Sequence, residues 1–137
     1  MKRTIRNVMT EAPRALASTA SIQEAARTMR ESGIGDVIVT EGGQVCGIVT
    51  DRDIVIRALA DGKTDARLGD ICSRDLVTAS PDDAARDVVA LMRSNALRRI
   101  VVMDDGKLSG VVSLGDLAID RDKQSALKDI SAATPNT

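Results

Sequence analysis

The chain has no histidine and no phenylalanine, tryptophan or tyrosine. Without histidine it lacks the side chain most often used as a general base near neutral pH, and it lacks imidazole as a metal ligand. A histidine-containing hydrolytic triad and histidine-bound zinc are excluded. Without aromatic rings there is no surface on which to stack bases. The 19 basic and 20 acidic residues give a formal net charge of -1, so no basic excess faces a phosphate backbone. Nucleic acid is not an expected partner. Cysteine is scarce too: Cys46 and Cys72 are too few for a disulfide framework or an all-cysteine zinc site, and they do not form a Cys-x-x-Cys pair. A reduced, cytoplasmic protein is expected. No apolar run approaches the ~20 residues of a membrane span, and Met1-Lys2-Arg3-Thr4 leads into polar sequence. Neither a membrane nor an export route is expected.

What the chain does have is a repeat. Residues 8–57 lie over 71–120 without a gap, matching Met29 with Met92, Val39 with Val102, Gly43 with Gly106, Gly47 with Gly110, Asp53 with Asp116 and Ile56 with Ile119. The apolar positions match more widely, as where Val37-Ile38-Val39 faces Ile100-Val101-Val102. Two copies of one supersecondary unit explain this pattern.

Each copy has the same internal pattern. Ile22, Ala25, Ala26 and Met29 recur at helical spacing, as do Ala85, Val88, Val89 and Met92, so each copy carries an amphipathic helix. Ser80-Pro81 suits the start of the second of these, because proline fits a first helical position. Aliphatic runs on either side of Glu41-Gly42-Gly43 and of Asp104-Asp105-Gly106 predict hairpins, and further helices follow over about 51–61 and 114–122. Ala15-Leu16-Ala17 and Leu76-Val77-Thr78 open the copies as strands. The expected fold is α+β: two tandem β-α-β-β-α repeats, residues 5–62 and 69–122, packed sheet to sheet. A polar linker is expected over 63–68, and 123–137 forms a tail with little to bury.

Both hairpins end on a glycine, two aliphatics, a hydroxyl residue, two variable residues and an aspartate: Gly47-Ile48-Val49-Thr50-Asp51-Arg52-Asp53 and Gly110-Val111-Val112-Ser113-Leu114-Gly115-Asp116. Thr50 with Asp53, and Ser113 with Asp116, fit capping boxes at a helix start. The same spacing fits a ligand site. Free N–H groups and a hydroxyl can receive phosphate, a carboxylate one turn on can accept from a ribose diol, and a glycine lets a ligand approach the backbone. The two roles are compatible.

The tandem copies, the opening Val8-Met9-Thr10, the paired Gly-x-x-[Thr/Ser]-x-x-Asp endings and the run Thr50-Asp51-Arg52-Asp53-Ile54 resemble a pair of CBS domains, the Bateman module, over about residues 5–122. The resemblance implies a regulatory, non-catalytic module that binds an adenine nucleotide such as AMP, ADP or ATP in clefts between the repeats, with no required cofactor. It implies that Asp53 and Asp116 hold ribose, that Thr50 and Ser113 lie near phosphate, and that Leu16, Ile34, Thr78 and Leu97 enclose adenine. Arg98-Arg99 stands in copy two where basic residues commonly reach phosphate, while Gly35-Asp36 stands in copy one. If each cleft joins the aspartate of one copy to the second strand of the other, Asp53 shares a site with Arg98 and Arg99. Asp116 then faces Asp36, which repels phosphate, so two unequal sites are expected. Arg52 is a further phosphate contact or a solvated partner of Asp51 or Asp53. As alternatives, the same fold would serve as an interaction scaffold without ligand, or as a sensor of S-adenosylmethionine or a dinucleotide.

Ile54, Val55, Ile56, Ala58 and Leu59 make an unusually apolar helix, and the resemblance implies a homodimer formed through helices. Cys46 on a strand and Cys72 after the linker read as small buried hydrophobes, with a disulfide or redox role as the alternative. No catalytic constellation is present: the serines have no histidine partner, and Asp82-Asp83 and Asp104-Asp105 sit where local hydrogen bonding favours aspartate.

Overall fold

The computed structural model describes residues 3–119 and 121. In chain order the elements are a 3-10 turn Ile5–Asn7, β1 Thr10–Glu11, β2 Ala15–Ala17, α1 Ile22–Ser32, β3 Asp36–Glu41 and β4 Gln44–Thr50. They continue with α2 Asp51–Asp53, which runs into a π-helical stretch Ile54–Leu59, then α3 Leu68–Ile71, β5 Thr78–Ala79, α4 Ala85–Asn95, β6 Arg99–Asp104 and β7 Lys107–Ser113. A last helix, α5, spans 114–119. The tail expected over 123–137 lies outside the described residues.

These elements form two compact units. A mid-chain unit spans Ala12–Val77, and a terminal unit joins residues 3–11 with 78–119. The mid-chain sheet has the order β2-β3-β4, with β2 parallel to β3 and β3 antiparallel to β4. In the terminal unit the order is β1-β7-β6-β5, with β5 parallel to β6. Each unit has its own core. In the mid-chain unit Ile22, Ala25 and Met29 of α1 pack with Val37, Val39, Val49 and Ile54. In the terminal unit Val88 and Met92 of α4 pack with Ile100, Val102, Val112 and Leu117.

Local chemistry sets most element ends. The Ser21 side chain accepts from the Glu24 N–H at 3.1 Å at the start of α1. Gly33, at φ 64°, ends that helix in the left-handed conformation. Both hairpins turn through two residues at positive φ, Gly42-Gly43 at 58° and 79° and Asp105-Gly106 at 51° and 77°, the tight turn whose twist suits antiparallel strands. Each hairpin also carries a bulge: Val39 pairs with Gly47 and Thr40 with Val45, so Cys46 is the extra residue, and Ser109 is its counterpart.

Three expectations are corrected. The helix of copy two starts at Ala85 rather than at Ser80-Pro81. Residues 80–83 instead form a turn in which Ser80 N–H donates to Asp83 Oδ2 at 2.9 Å, leaving the Pro81 and Asp83 carbonyls to accept from Arg6 and Ile5. The strand expected at Leu76-Val77-Thr78 lies at Thr78–Ala79, because Ala79 is the residue that the core buries beside Val102. The linker is not simply polar: Leu68 is fully buried and Ala66 nearly so.

Leu68 and Ile5 occupy matching positions in the two copies, and each anchors the unit built mainly from the other copy. Ile5 belongs to the terminal core and Leu68 to the mid-chain core. Their backbones dock in the same way. Ile5 N–H donates to Asp83 O and Leu68 N–H to Ala20 O, both at 2.9 Å. Further on, Thr10 pairs with Val111 in β7, and Ser73 bridges Ile48 in β4. The opening segments of the two copies are thus exchanged.

Candidate functional site

Both hairpin ends form the capping boxes expected from their spacing. Asp53 N–H donates to Thr50 Oγ1 at 3.1 Å, and Thr50 N–H donates to Asp53 Oδ2 at 2.9 Å. In the second copy Asp116 N–H donates to Ser113 Oγ at 2.9 Å, and Ser113 N–H donates to Asp116 Oδ2 at 3.1 Å. Each aspartate is half-buried and held in one rotamer, with lone pairs left on its carboxylate. The capping role is therefore real, and it orients the carboxylate that a ligand would meet.

The helix start in copy one is less open than its sequence implied. Asp51 N–H donates to Gly35 O at 3.1 Å, Arg52 N–H to Asp51 Oδ1 at 2.8 Å and Asp53 N–H to Thr50 Oγ1, so all three N–H groups have partners within the chain. The expectation of several free N–H groups there is corrected. In copy two Leu114 N–H donates to Arg98 O at 2.7 Å, as Asp51 does to Gly35, but Leu114 has no carboxylate with which to cap the next residue.

Arg57 carries a role that the motif alone did not show. Its Nε lies 3.7 Å from Asp53 Oδ1, and its Nη1 donates to Ile71 O at 3.2 Å. It therefore ties the candidate ribose-binding carboxylate to α3. Its spacing of four residues from Asp53 on one helix was the available signal.

The remaining candidates divide by unit. Asp36 is paired with Thr50, and Arg99 with Ser113, across their hairpins, so each unit brings the first residues of its second strand to its own capping box. Ile34 and Leu16 are half-buried against the mid-chain core, and Leu97 is half-buried against the terminal core. Thr78 is exposed, and Ala79 rather than Thr78 stands at the position matching Leu16. Arg98 is exposed and Arg99 half-buried, as expected for adjacent residues facing opposite ways. Arg52 is exposed and lines a shallow depression on the outer side of the helix with Asp51, Val55 and Ile56.

The two motif glycines have a structural reason other than ligand access. A Cβ at Gly47 would lie 2.7 Å from both Cys72 Sγ and Ser73 O, and one at Gly110 would lie 2.6 Å from Thr10 O and 2.9 Å from Met9 Sδ. The space is filled by the exchanged segments. Among the described residues no group of three or more histidine, cysteine, aspartate or glutamate side chains could hold a metal ion, and no helix is long and apolar enough to cross a membrane.

Two exchanged repeats, each ending its hairpin in a hydroxyl–aspartate box, match a known sequence family. The CBS-domain profile fits residues 5–59 and 68–119. The chain belongs to the CBS-domain family. It is a tandem CBS pair, the architecture of a regulatory module. It is 33% identical over 132 residues to the CBS domain-containing protein YhcV of Bacillus subtilis, covering 93% of this chain and 94% of that one. Among solved structures it resembles an uncharacterised conserved protein from Pyrococcus horikoshii, with 28% identity, a TM-score of 0.78 and coverage of 100% and 98%. It also resembles the CBS domain pair of protein MJ0100, solved in complex with 5'-methylthioadenosine and S-adenosyl-L-methionine, with 25% identity, a TM-score of 0.83 and coverage of 90% and 99%.

Proposed function

We propose that this CBS pair is a non-catalytic sensor that binds an adenosine nucleotide or related adenosyl ligand, with Asp53 and Asp116 receiving the ribose hydroxyls. The observation that carries this reading is the duplicated capping box, which presents an oriented, half-buried carboxylate at the same point of each copy. The likeness to a CBS pair solved with two adenosyl compounds supports it. Thr50 and Ser113 stand beside the ribose site, Leu16, Ile34, Thr78 and Leu97 are the candidate adenine contacts, and Arg52, Arg98 and Arg99 are the candidate phosphate contacts.

A second reading, an unphosphorylated adenosyl ligand such as S-adenosylmethionine, is favoured by one observation. The helix start of copy one has spent its N–H groups internally and holds two carboxylates, Asp51 and Asp53. Phosphate recognition there would fall entirely to arginine side chains. Calorimetric titration with AMP, ADP, ATP, S-adenosylmethionine and 5'-methylthioadenosine separates the two readings. Under the nucleotide reading AMP or ATP binds, and Arg98→Ala weakens it. Under the second reading only the unphosphorylated compounds bind, and Arg98→Ala has no effect. Asp53→Asn keeps an acceptor for the Thr50 N–H, so lost binding with unchanged unfolding identifies Asp53 as a ligand contact. If no compound binds, the boxes are caps alone and the chain acts as a scaffold.

We further propose a homodimer that covers Val55, Ile56 and Leu59, which are each about half exposed (52%, 52% and 50%) on the π-helical stretch. Light scattering should give twice the monomer mass for the wild type and the monomer mass for Ile56→Glu.

A further inference from the structure

Cys46 and Cys72 are far apart in the chain, yet the fold of the mid-chain unit brings them together. The bulge in β4 makes Cys46 the extra residue beside Gly47, and such bulges re-aim side chains. Cys72 Sγ lies directly over Gly47, and Cys46 packs against the core cluster that contains Cys72. The Cys72 thiol thus meets β4 at the residue next to Cys46. Paired hydrogen bonds between Ile48 and Ser73, at 2.9 and 3.1 Å, already fix the two backbones beside each other. Arg74 flanks the pair, held by Gly69 O at 2.9 Å and Glu41 Oε2 at 3.6 Å.

The terminal unit serves as an internal control for packing. There Met9 lies over Gly110, Ser109 is the bulge residue, and Glu11 stands where Arg74 would be. The same fold therefore needs neither thiol nor cation at these places. The two sulfhydryls and the arginine occur together in the mid-chain unit and have no counterpart at the matching places of the terminal unit, and Cys46 is partly open to solvent.

We propose that Cys46 and Cys72 form a redox-modifiable dithiol, which closes to a disulfide on reaction with an oxidised low-molecular-weight thiol and clamps the segment joining the repeats onto β4. The more exposed Cys46 thiolate attacks one sulfur of the reagent disulfide, forming a mixed disulfide and releasing one thiolate, which takes up the Cys72 proton. The Cys72 thiolate then attacks the Cys46 sulfur and expels the second reagent thiolate, which takes up from solvent the proton that Cys46 lost on ionising. One intramolecular disulfide forms, two equivalents of free thiol leave, and two electrons pass from protein to reagent. Arg74 stabilises negative charge at both stages.

The test uses the whole, reduced protein treated with excess oxidised glutathione, quenched in acid and alkylated. The expected product has lost two hydrogens, has no thiol that reacts after denaturation, and yields the tryptic peptides 31–52 and 68–74 joined to each other. Its thermal midpoint rises and returns to the reduced value on adding dithiothreitol. Cys46→Ser and Cys72→Met, which copy the matching residues of the terminal unit, should keep the far-ultraviolet circular dichroism of the wild type and take up at most one glutathione. Untouched thiols, glutathione adducts without ring closure, disulfides between chains, or a disulfide that lowers the thermal midpoint would each overturn the proposal.

Discussion

Gly47 and Gly115 show how one residue type serves different ends. A methyl group at Gly47 meets a backbone oxygen and a buried sulfur, neither of which can swing away, so Gly47→Ala should destabilise the protein by about 2 kcal/mol in urea unfolding. At Gly115 an added methyl would lie 3.6 Å from Ser113 Oγ, the distance of ordinary contact, and the site is helical. Gly115→Ala should be neutral or stabilise by up to about 1 kcal/mol. Cys72 adds a pH dependence. Burial pushes its thiol above the usual value near 9, the nearby Arg74 charge opposes the rise, and Cys46 adds to it. The unfolded chain therefore releases this proton at lower pH than the folded chain does. The contribution is complete below about pH 9 and is lost as pH rises through the folded value. Urea midpoints measured from pH 7 to 10 should fall more steeply above pH 9 for the wild type than for Cys72→Met.

At the scale of elements, the helix and hairpin patterns were legible because each is a local matter. Apolar spacing marked α1 and α4, and Gly42-Gly43 and Asp105-Gly106 marked the turns. The capping boxes at Thr50 and Ser113 were legible for the same reason, since hydroxyl and carboxylate stand three residues apart in one turn. What could not be read was whatever depends on a distant partner. Residues 80–83 look like a helix start until the carbonyls of Pro81 and Asp83 are seen to receive Arg6 and Ile5. Leu68 looks like part of a linker until it is found in a core, and Leu68→Ala should cost about 3 kcal/mol, the range for emptying a buried leucine site. The bulges at Cys46 and Ser109 also escaped notice, because register is a property of two strands together.

For the molecule as a whole, the exchange of opening segments makes an unusual prediction. Ile5→Ala should raise amide hydrogen exchange mainly over 78–119, far along the chain, and leave 15–58 largely protected. Leu68→Ala should do the reverse. Exchange measured by mass spectrometry checks both, and loosening confined to the mutated copy's own sequence would contradict the exchange.

Composition and the internal repeat were enough to establish a duplicated α+β unit without histidine chemistry, because periodicity and turn residues act over a few positions. The same local rules located Thr50, Asp53, Ser113 and Asp116. Tertiary structure alone decided which copy each opening segment completes, that the motif glycines make room for the chain's own Cys72 and Met9, and that Cys72 packs beside the residue next to Cys46. Those features are contacts between residues dozens of positions apart. They exist only where burying Ile5 and Leu68 outweighs the entropy lost in bringing the segments together, a balance set by the packed cores.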